Sequence, residues 1–197
     1  MTKKQTHGQR ARQYWREAQA AGNTALAADF EQVLHGLEQP RAKAIGLLMK
    51  RLNATPHQEV KYFISRVFEK AKDERVLRPL LKAIADPGNT GFAANFIWAC
   101  SSYDCTKHLP FFVRLLLRST DPGEPALACL HVLDNMKGPF QPTVLKRSVA
   151  QLLRRRGPQL VPDADVHQLD ELLTTQAAYI LLDKYFTQLN REYKQSR

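Results

Sequence analysis

A pattern of apolar residues that recurs after 32 positions constrains this chain more than any other feature. Residues 77–84 align with residues 109–116, with Leu81 opposite Val113, and a looser copy lies at residues 45–52. A repeat of this length indicates a pair of short helices that buries its apolar face only by stacking on neighbouring pairs. We therefore expect Leu81 and Val113 to be equivalent core positions.

The spacing of apolar residues is helical along the whole chain. They recur at intervals of three and four, and alternation of the strand type is nearly absent. Gly, Pro and Asn breakers separate segments of about 12 to 16 residues. We predict an all-α solenoid of about ten helices in antiparallel pairs, whose second helices line a concave side.

The last helical segment, near residues 163–193, is the longest and is predicted to be a terminal cap. Its apolar residues are interpreted as one broad face. That face comprises Val166, Leu169, Leu172, Leu173, Ile180, Leu182, Phe186 and Leu189.

Residues 77–87 read Leu-x-Pro-Leu-Leu-x-x-Ile-x-Asp-Pro, and Ala93-Ala94 follows. This pattern resembles the HEAT repeat, in which a proline kinks the first helix and Asp-Pro opens the turn to an alanine-rich second helix. The resemblance is clearest over residues 73–137 and looser over 40–72. It implies a single HEAT-like domain over residues 1–197, with a basic cap over 1–39 and a C-terminal cap over 138–197.

The connector over residues 98–105, Trp-Ala-Cys-Ser-Ser-Tyr-Asp-Cys, resembles one in small bacterial HEAT-like proteins of the toxin-immunity kind. That resemblance implies a non-catalytic protein that binds and neutralises a cognate bacterial toxin. The alternative is a nucleic-acid-binding or DNA-repair protein similar to the HEAT-like alkylpurine DNA glycosylases. The chain holds the aromatic, acidic and arginine residue types of those enzymes, but not their motif.

The net charge of +10 is uneven, because the basic excess lies near both ends and residues 73–137 are balanced. Arg154, Arg155 and Arg156 precede a Gly-Pro stop, where cations favour a helix end. The other interpretation is an anion-binding cluster that meets nucleic acid or an acidic protein. The basic leader comprises Lys3, Lys4, Arg10, Arg12 and Arg16, together with Tyr14 and Trp15. It similarly either caps the first repeat or meets an anionic surface.

Motifs of the common enzyme classes are missing, and we predict neither catalysis nor a cofactor nor a metal site. No nucleotide-binding loop, GxSxG or HExxH is present, and the six histidines lie far apart. Glycosylase-like activity is the main enzymatic alternative. Three cysteines without metal-ligand spacing favour a reducing cytosol, and no segment has the apolar length of a membrane span or the pattern of a signal peptide.

Candidate partner-binding residues fall into two groups. The first is a polar stripe on the second helices, and the second is an aromatic and acidic cluster in the connector. Trp98 aligns with Leu130 and is also expected as a core residue, while Asp104 is placed to cap the helix that begins near Thr106. The stripe comprises Arg66, Glu69, Lys70, Ser102, His131, Asp134 and Asn135, and the cluster comprises Trp98, Tyr103 and Asp104.

Overall fold

The computed structural model describes residues 5–118, 123–154 and 164–195, the side chains of residues 164–170 excepted. These ranges hold ten α-helices and no strand, so the all-α prediction is confirmed. No helix within them is both long and apolar enough to cross a membrane. The helices are α1 (His7–Ala20), α2 (Thr24–Leu37), α3 (Arg41–Ala54), α4 (Gln58–Ala71), α5 (Leu77–Ala85), α6 (Ala93–Cys100), α7 (Leu109–Arg118), α8 (Glu124–Asn135), α9 (Pro142–Arg154) and α10 (Ala164–Gln195).

The first two helices begin where side chains accept hydrogen bonds from otherwise unpaired backbone amides. Thr6 and Gln9 form a reciprocal capping box at the start of α1. Asn23 accepts a hydrogen bond from the Leu26 amide at the start of α2, with an O···N distance of 3.0 Å. Three short 3-10 segments, at Glu74–Val76, Pro87–Phe92 and Thr106–His108, connect later helices.

The chain divides into two compact units, Met1–Ala99 and Cys100–Arg197. In the first unit α2 packs against α1 and α3, and α3 also contacts α4 and α5. In the second unit α7 and α10 each pack against both α8 and α9. The expectation of one domain over residues 1–197 stays a prediction.

The 32-residue repeat reappears in the burial pattern of α5 and α7. Each of these helices follows a 3-10 segment, and they begin at Leu77 and Leu109. The matched pairs Leu77 with Leu109, Leu80 with Phe112 and Ile84 with Leu116 are all buried. Leu81 is only half-buried whereas Val113 is fully buried, so their expected equivalence is wrong. At that position the buried face of α5 is therefore rotated slightly relative to the buried face of α7.

The turn after α5 is fixed by its polar residues. Asp86 accepts a hydrogen bond from the Gly88 amide at 2.9 Å, and the buried Asn89 donates to the Ala83 carbonyl at 3.0 Å. Lys61 of α4 donates to the Asn89 side chain at 2.7 Å. One turn therefore joins α5 to α4. The matching Asp-Pro of the next repeat lies outside the described residues.

Candidate protein-binding surfaces

In the first unit, the predicted contact residues on α4 lie close to the basic leader. Arg66 and Glu69 form an ion pair, with 2.5 Å between Nη1 and Oε2, and Lys70 is exposed. Burial lowers the pKa of His7 on α1, and the positive charges of Lys70, Arg10 and Arg66 lower it further. The start of α1 and the end of α4 therefore share one predominantly basic surface.

Trp98 of α6, the first residue of the predicted connector cluster, is half-buried.

In the second unit, the connector residues stabilise the fold. Tyr103 is buried. Asp104 accepts hydrogen bonds from the backbone amide and hydroxyl of Thr106, at 3.1 and 2.5 Å, and from the Lys137 amide at 3.4 Å. Burial opposes ionisation of Asp104, but these hydrogen bonds outweigh it and lower the pKa of the carboxyl below its usual value. The predicted hydrogen bond between the Asp104 carboxylate and a backbone amide before the helix is present, although the N-cap position of the Thr106–His108 segment is occupied by Cys105.

The predicted residues of α8 differ in exposure. His131 and Asp134 are exposed, whereas Asn135 is half-buried and donates a hydrogen bond to the Ser101 carbonyl at 3.2 Å. Ser102 is half-buried. The predicted stripe includes residues of both units, and its continuity stays a prediction.

A polar groove of about 820 Å³ lies beside α8, between residues 134–140 and the last turns of α10. Lys184 of α10 donates to the Asp134 and Met136 carbonyls at 2.5 and 3.0 Å. Gln188 accepts from the Phe140 amide and donates to its carbonyl. These polar groups therefore hold α10 against the connector after α8.

The predicted anion-binding cluster lies mostly beyond the described residues. Arg154 is exposed at the end of α9. Arg155 and Arg156 lie outside the described residues.

Exposed apolar surface in the described part of the chain is concentrated in two places. Ten large apolar side chains are exposed there, and five of them lie on α10. Three more, Tyr14, Tyr62 and Phe92, line one groove in the first unit. The remaining two, Leu127 on α8 and Leu153 on α9, lie on different helices.

Four of the exposed residues on α10 form what we call the outer stripe: Leu172, Tyr179, Phe186 and Tyr193. Each follows the previous one by seven residues, which is two helical turns, so the four lie along one side of the helix. Their exposed fractions are 60, 68, 59 and 58%. The stripe runs for 22 residues of α10, from 172 to 193. Exposed surface of this kind marks interaction sites.

The opposite side of α10 is part of the core, which corrects the prediction of one broad apolar face. Leu173, Ala177, Ala178 and Leu181 are buried where α10 packs on α8 and α9. Leu172, Phe186 and Leu189 were assigned to that same face but are exposed, while Ile180 and Leu182 are half-buried. Val166 and Leu169 lie outside the described side chains. The seven-residue spacing is visible in the sequence and is the signal that distinguishes the two sides.

Among the described side chains, three exposed carboxylates and one exposed lysine flank the outer stripe. Asp183 is exposed and lies four residues after Tyr179 and three before Phe186, which places it beside both rings. Glu171 is exposed immediately before Leu172. Glu192 and Lys194 lie immediately before and after Tyr193. The stripe is therefore apolar at its centre and acidic along its edge except at the Tyr193 end, although the chain as a whole is basic.

The described residues contain no group of three or more His, Cys, Asp or Glu side chains arranged to hold a metal ion. Comparisons with protein families, with curated proteins and with solved structures found no match to the chain. The arrangement that the structure does present is a helix with one buried and one exposed apolar side.

Proposed function

We propose that this chain is a non-catalytic protein-binding protein whose main interface is the outer stripe of α10. The observation that carries the proposal is the stripe itself, four large side chains at seven-residue intervals, each more than half exposed. Burying one such side chain contributes about 1.5–3 kcal/mol, so a partner that covers all four gains a substantial part of a stable complex.

The partner chemistry follows from the geometry and charge of the stripe. Apolar residues at heptad spacing accept a second helix whose own apolar residues have the same spacing. Asp183, which lies beside the rings of Tyr179 and Phe186, favours Lys or Arg at the flanking positions of that helix. The proposed occupant is an amphipathic helix with basic flanks from another protein.

A second copy of this chain is a less favourable occupant. The midpoint of the outer stripe lies between Tyr179 and Phe186, next to Asp183. Two copies paired antiparallel about that midpoint bring their Asp183 carboxylates close together, and like charges at such a position destabilise a helix pair. Sedimentation velocity of the purified chain is expected to show a monomer.

Comparative affinity capture tests the proposal. The wild type and two variants, Leu172→Glu and Leu127→Glu, are immobilised and exposed to extract from the source cells. Both leucines are exposed on helices of the second unit, by 60 and 50%, but only Leu172 belongs to the stripe. A partner that is retained by the wild type and Leu127→Glu but lost by Leu172→Glu supports the proposal. Equal retention by all three contradicts it.

The finer identity that we propose is a HEAT-like solenoid that acts as a bacterial immunity-type protein. What supports a HEAT-like arrangement is the equivalent burial of α5 and α7 after 32 residues and the 3-10 segment before each. The toxin-immunity role rests on the resemblance of the connector. The test is to express a candidate toxin from a neighbouring gene together with this chain. The wild type is expected to protect the cells, and Leu172→Glu is expected not to protect them.

A second candidate function, nucleic-acid binding, is favoured by the basic surface around His7. Arg10, Arg66 and Lys70 each lie close enough to His7 for their positive charges to lower its pKa. A duplex binder that neutralises about six phosphates loses about a thousandfold in affinity between about 50 and 200 mM salt. Binding of random duplex DNA with that salt dependence, weakened by Lys70→Ala but not by Arg78→Ala on α5, supports this candidate over the first.

A further inference from the structure

The first unit contains an aromatic groove that the proposed function does not use. Tyr14 of α1, Tyr62 of α4 and Phe92 of the Pro87–Phe92 segment contribute exposed rings to it, with exposed fractions of 41, 42 and 39%. The buried Phe30 of α2 also lines it. The groove has a volume of about 550 Å³, within the range typical of ligand pockets.

The Tyr14 ring of the groove is held in place by the core beneath it. Tyr14 stacks on Phe30 with their ring centroids 5.3 Å apart and an angle of 24° between the planes. Phe63 meets both rings edge-on, at 6.1 Å from Tyr14 and 5.9 Å from Phe30. A ligand that contacts the Tyr14 ring therefore meets a preorganised surface, which lowers the entropic cost of binding.

Two carboxylates, Glu17 of α1 and Glu59 of α4, line the same groove, and no Lys or Arg is among the described residues that line it. Glu17 accepts a hydrogen bond from Gln13 at 2.8 Å, and Glu59 is exposed. A negative, aromatic groove in a chain with a net charge of +10 is suited to a cation.

We propose that this groove binds an arginine side chain presented by a peptide segment with apolar neighbours. The planar guanidinium stacks on aromatic faces and forms paired hydrogen bonds with carboxylates, and the groove supplies both kinds of group. The apolar neighbours of the arginine contact Leu26 and Ala18, which also line the groove. The proposal rests on residues of the first unit alone and is independent of the outer stripe on α10.

The test compares two peptides that differ only in charge. The probes are acetyl-Leu-Ala-Arg-Ala-Leu-amide and the same peptide with citrulline, which has nearly the shape of arginine but is neutral. Their binding to the full chain is measured by NMR titration of the labelled protein. The arginine peptide is expected to bind at least about tenfold more tightly, with shifts at the groove residues. Equal affinity for the two peptides, or binding of neither, overturns the proposal.

Matched variants locate the site. Tyr62→Leu removes an aromatic face but leaves an apolar side chain, and Glu59→Gln removes a charge from an exposed side chain. Each is expected to weaken the arginine peptide several-fold. The control is Glu124→Gln, which like Glu59 lies in the first turn of its helix and is expected to bind the arginine peptide like the wild type. Equal affinity of Glu59→Gln and Glu124→Gln for the arginine peptide overturns the assignment, and because both side chains are exposed, this comparison does not depend on a core substitution.

Discussion

The side chain of Asp29 is an acid buried within the first unit, and neighbouring residues compensate its charge. It lies on α2, 6% exposed, and contacts Arg51 near the end of α3 and the hydroxyl of Thr55 just after that helix. Arg51 also donates to Gln32 of α2 at 2.7 Å. A buried carboxylate is tolerated only with such partners, and together they join α2 to the end of α3.

Asp29→Ala is therefore expected to destabilise the chain by about 3–5 kcal/mol, because it leaves the largely buried guanidinium of Arg51 without its counter-ion. Glu31→Ala, at an exposed position of the same helix, is the control and is expected to change stability by no more than about 0.5 kcal/mol. Urea unfolding measures both. Similar free energies of unfolding for the two variants would show that Asp29 carries no such role.

The three cysteines are buried thiols of the second unit. Cys105 donates a hydrogen bond to the Cys100 carbonyl at 3.4 Å. Burial raises the pKa of Cys129 to about 12 and also raises that of Cys100. Because a raised pKa means that the folded state holds the proton more tightly, these thiols stabilise the fold below the pKa of the unfolded chain, near 9.

That stabilisation is lost as the pH rises from 9 towards 12. Unfolding free energies measured between about pH 7.5 and 10.5 are expected to fall more steeply for the wild type than for Cys129→Ala, since the variant has no thiol at 129 to ionise on unfolding. The variant is less stable at pH 7.5 because of its cavity, so only the two slopes are compared. Parallel slopes would contradict the account of Cys129.

At the scale of elements, α5 and α7 each have a fully buried central residue, Leu80 and Phe112. Leu80→Ala is expected to cost about 2–5 kcal/mol and Phe112→Ala about 3–5 kcal/mol. Leu81→Ala is the control, because its half-buried side chain leaves a smaller cavity, and it is expected to cost clearly less than Leu80→Ala. If Leu81→Ala cost as much as Leu80→Ala in thermal unfolding, the buried face of α5 would be assigned wrongly.

The existence of the helices and the three matched buried pairs of α5 and α7 could be predicted from the sequence, because both depend on local periodicity. The hydrogen bond that Asp104 accepts from the Thr106 amide could also be predicted, since it spans only two residues. The exact buried face of α5 could not, because a rotation of a fraction of a turn exchanges Leu80 and Leu81 as core residues. That rotation depends on the contacts that α5 makes with α3 and with the 3-10 segments on either side of it.

Surfaces made by residues distant in sequence could not be predicted either. The aromatic groove combines Tyr14, Tyr62 and Phe92, which come from three separate elements. The buried partners of Asp29 lie more than 20 residues away along the chain. The outer stripe of α10 is different, because its heptad spacing is local, and only its exposure required the structure.

At the scale of the whole molecule, the sign of the net charge differs from the sign of the charge beside the exposed apolar surface. The chain carries +10, yet Asp183 and Glu171 lie beside the outer stripe and Glu17 and Glu59 line the aromatic groove. The net charge of the chain therefore attracts acidic molecules at long range, whereas the carboxylates beside the apolar surfaces favour basic groups at close contact.

The most direct test of the central claim is the dissociation constant of the captured partner, measured by surface plasmon resonance for stripe and control variants. Tyr179→Ala and Phe186→Ala are each expected to weaken binding by about 2 kcal/mol, which is roughly thirtyfold, because both rings lie at the centre of the stripe. Leu127→Ala and Leu153→Ala, which are exposed on other helices, are expected to bind like the wild type. A wild-type dissociation constant for both stripe variants would contradict the assignment of the outer stripe of α10 as the interface.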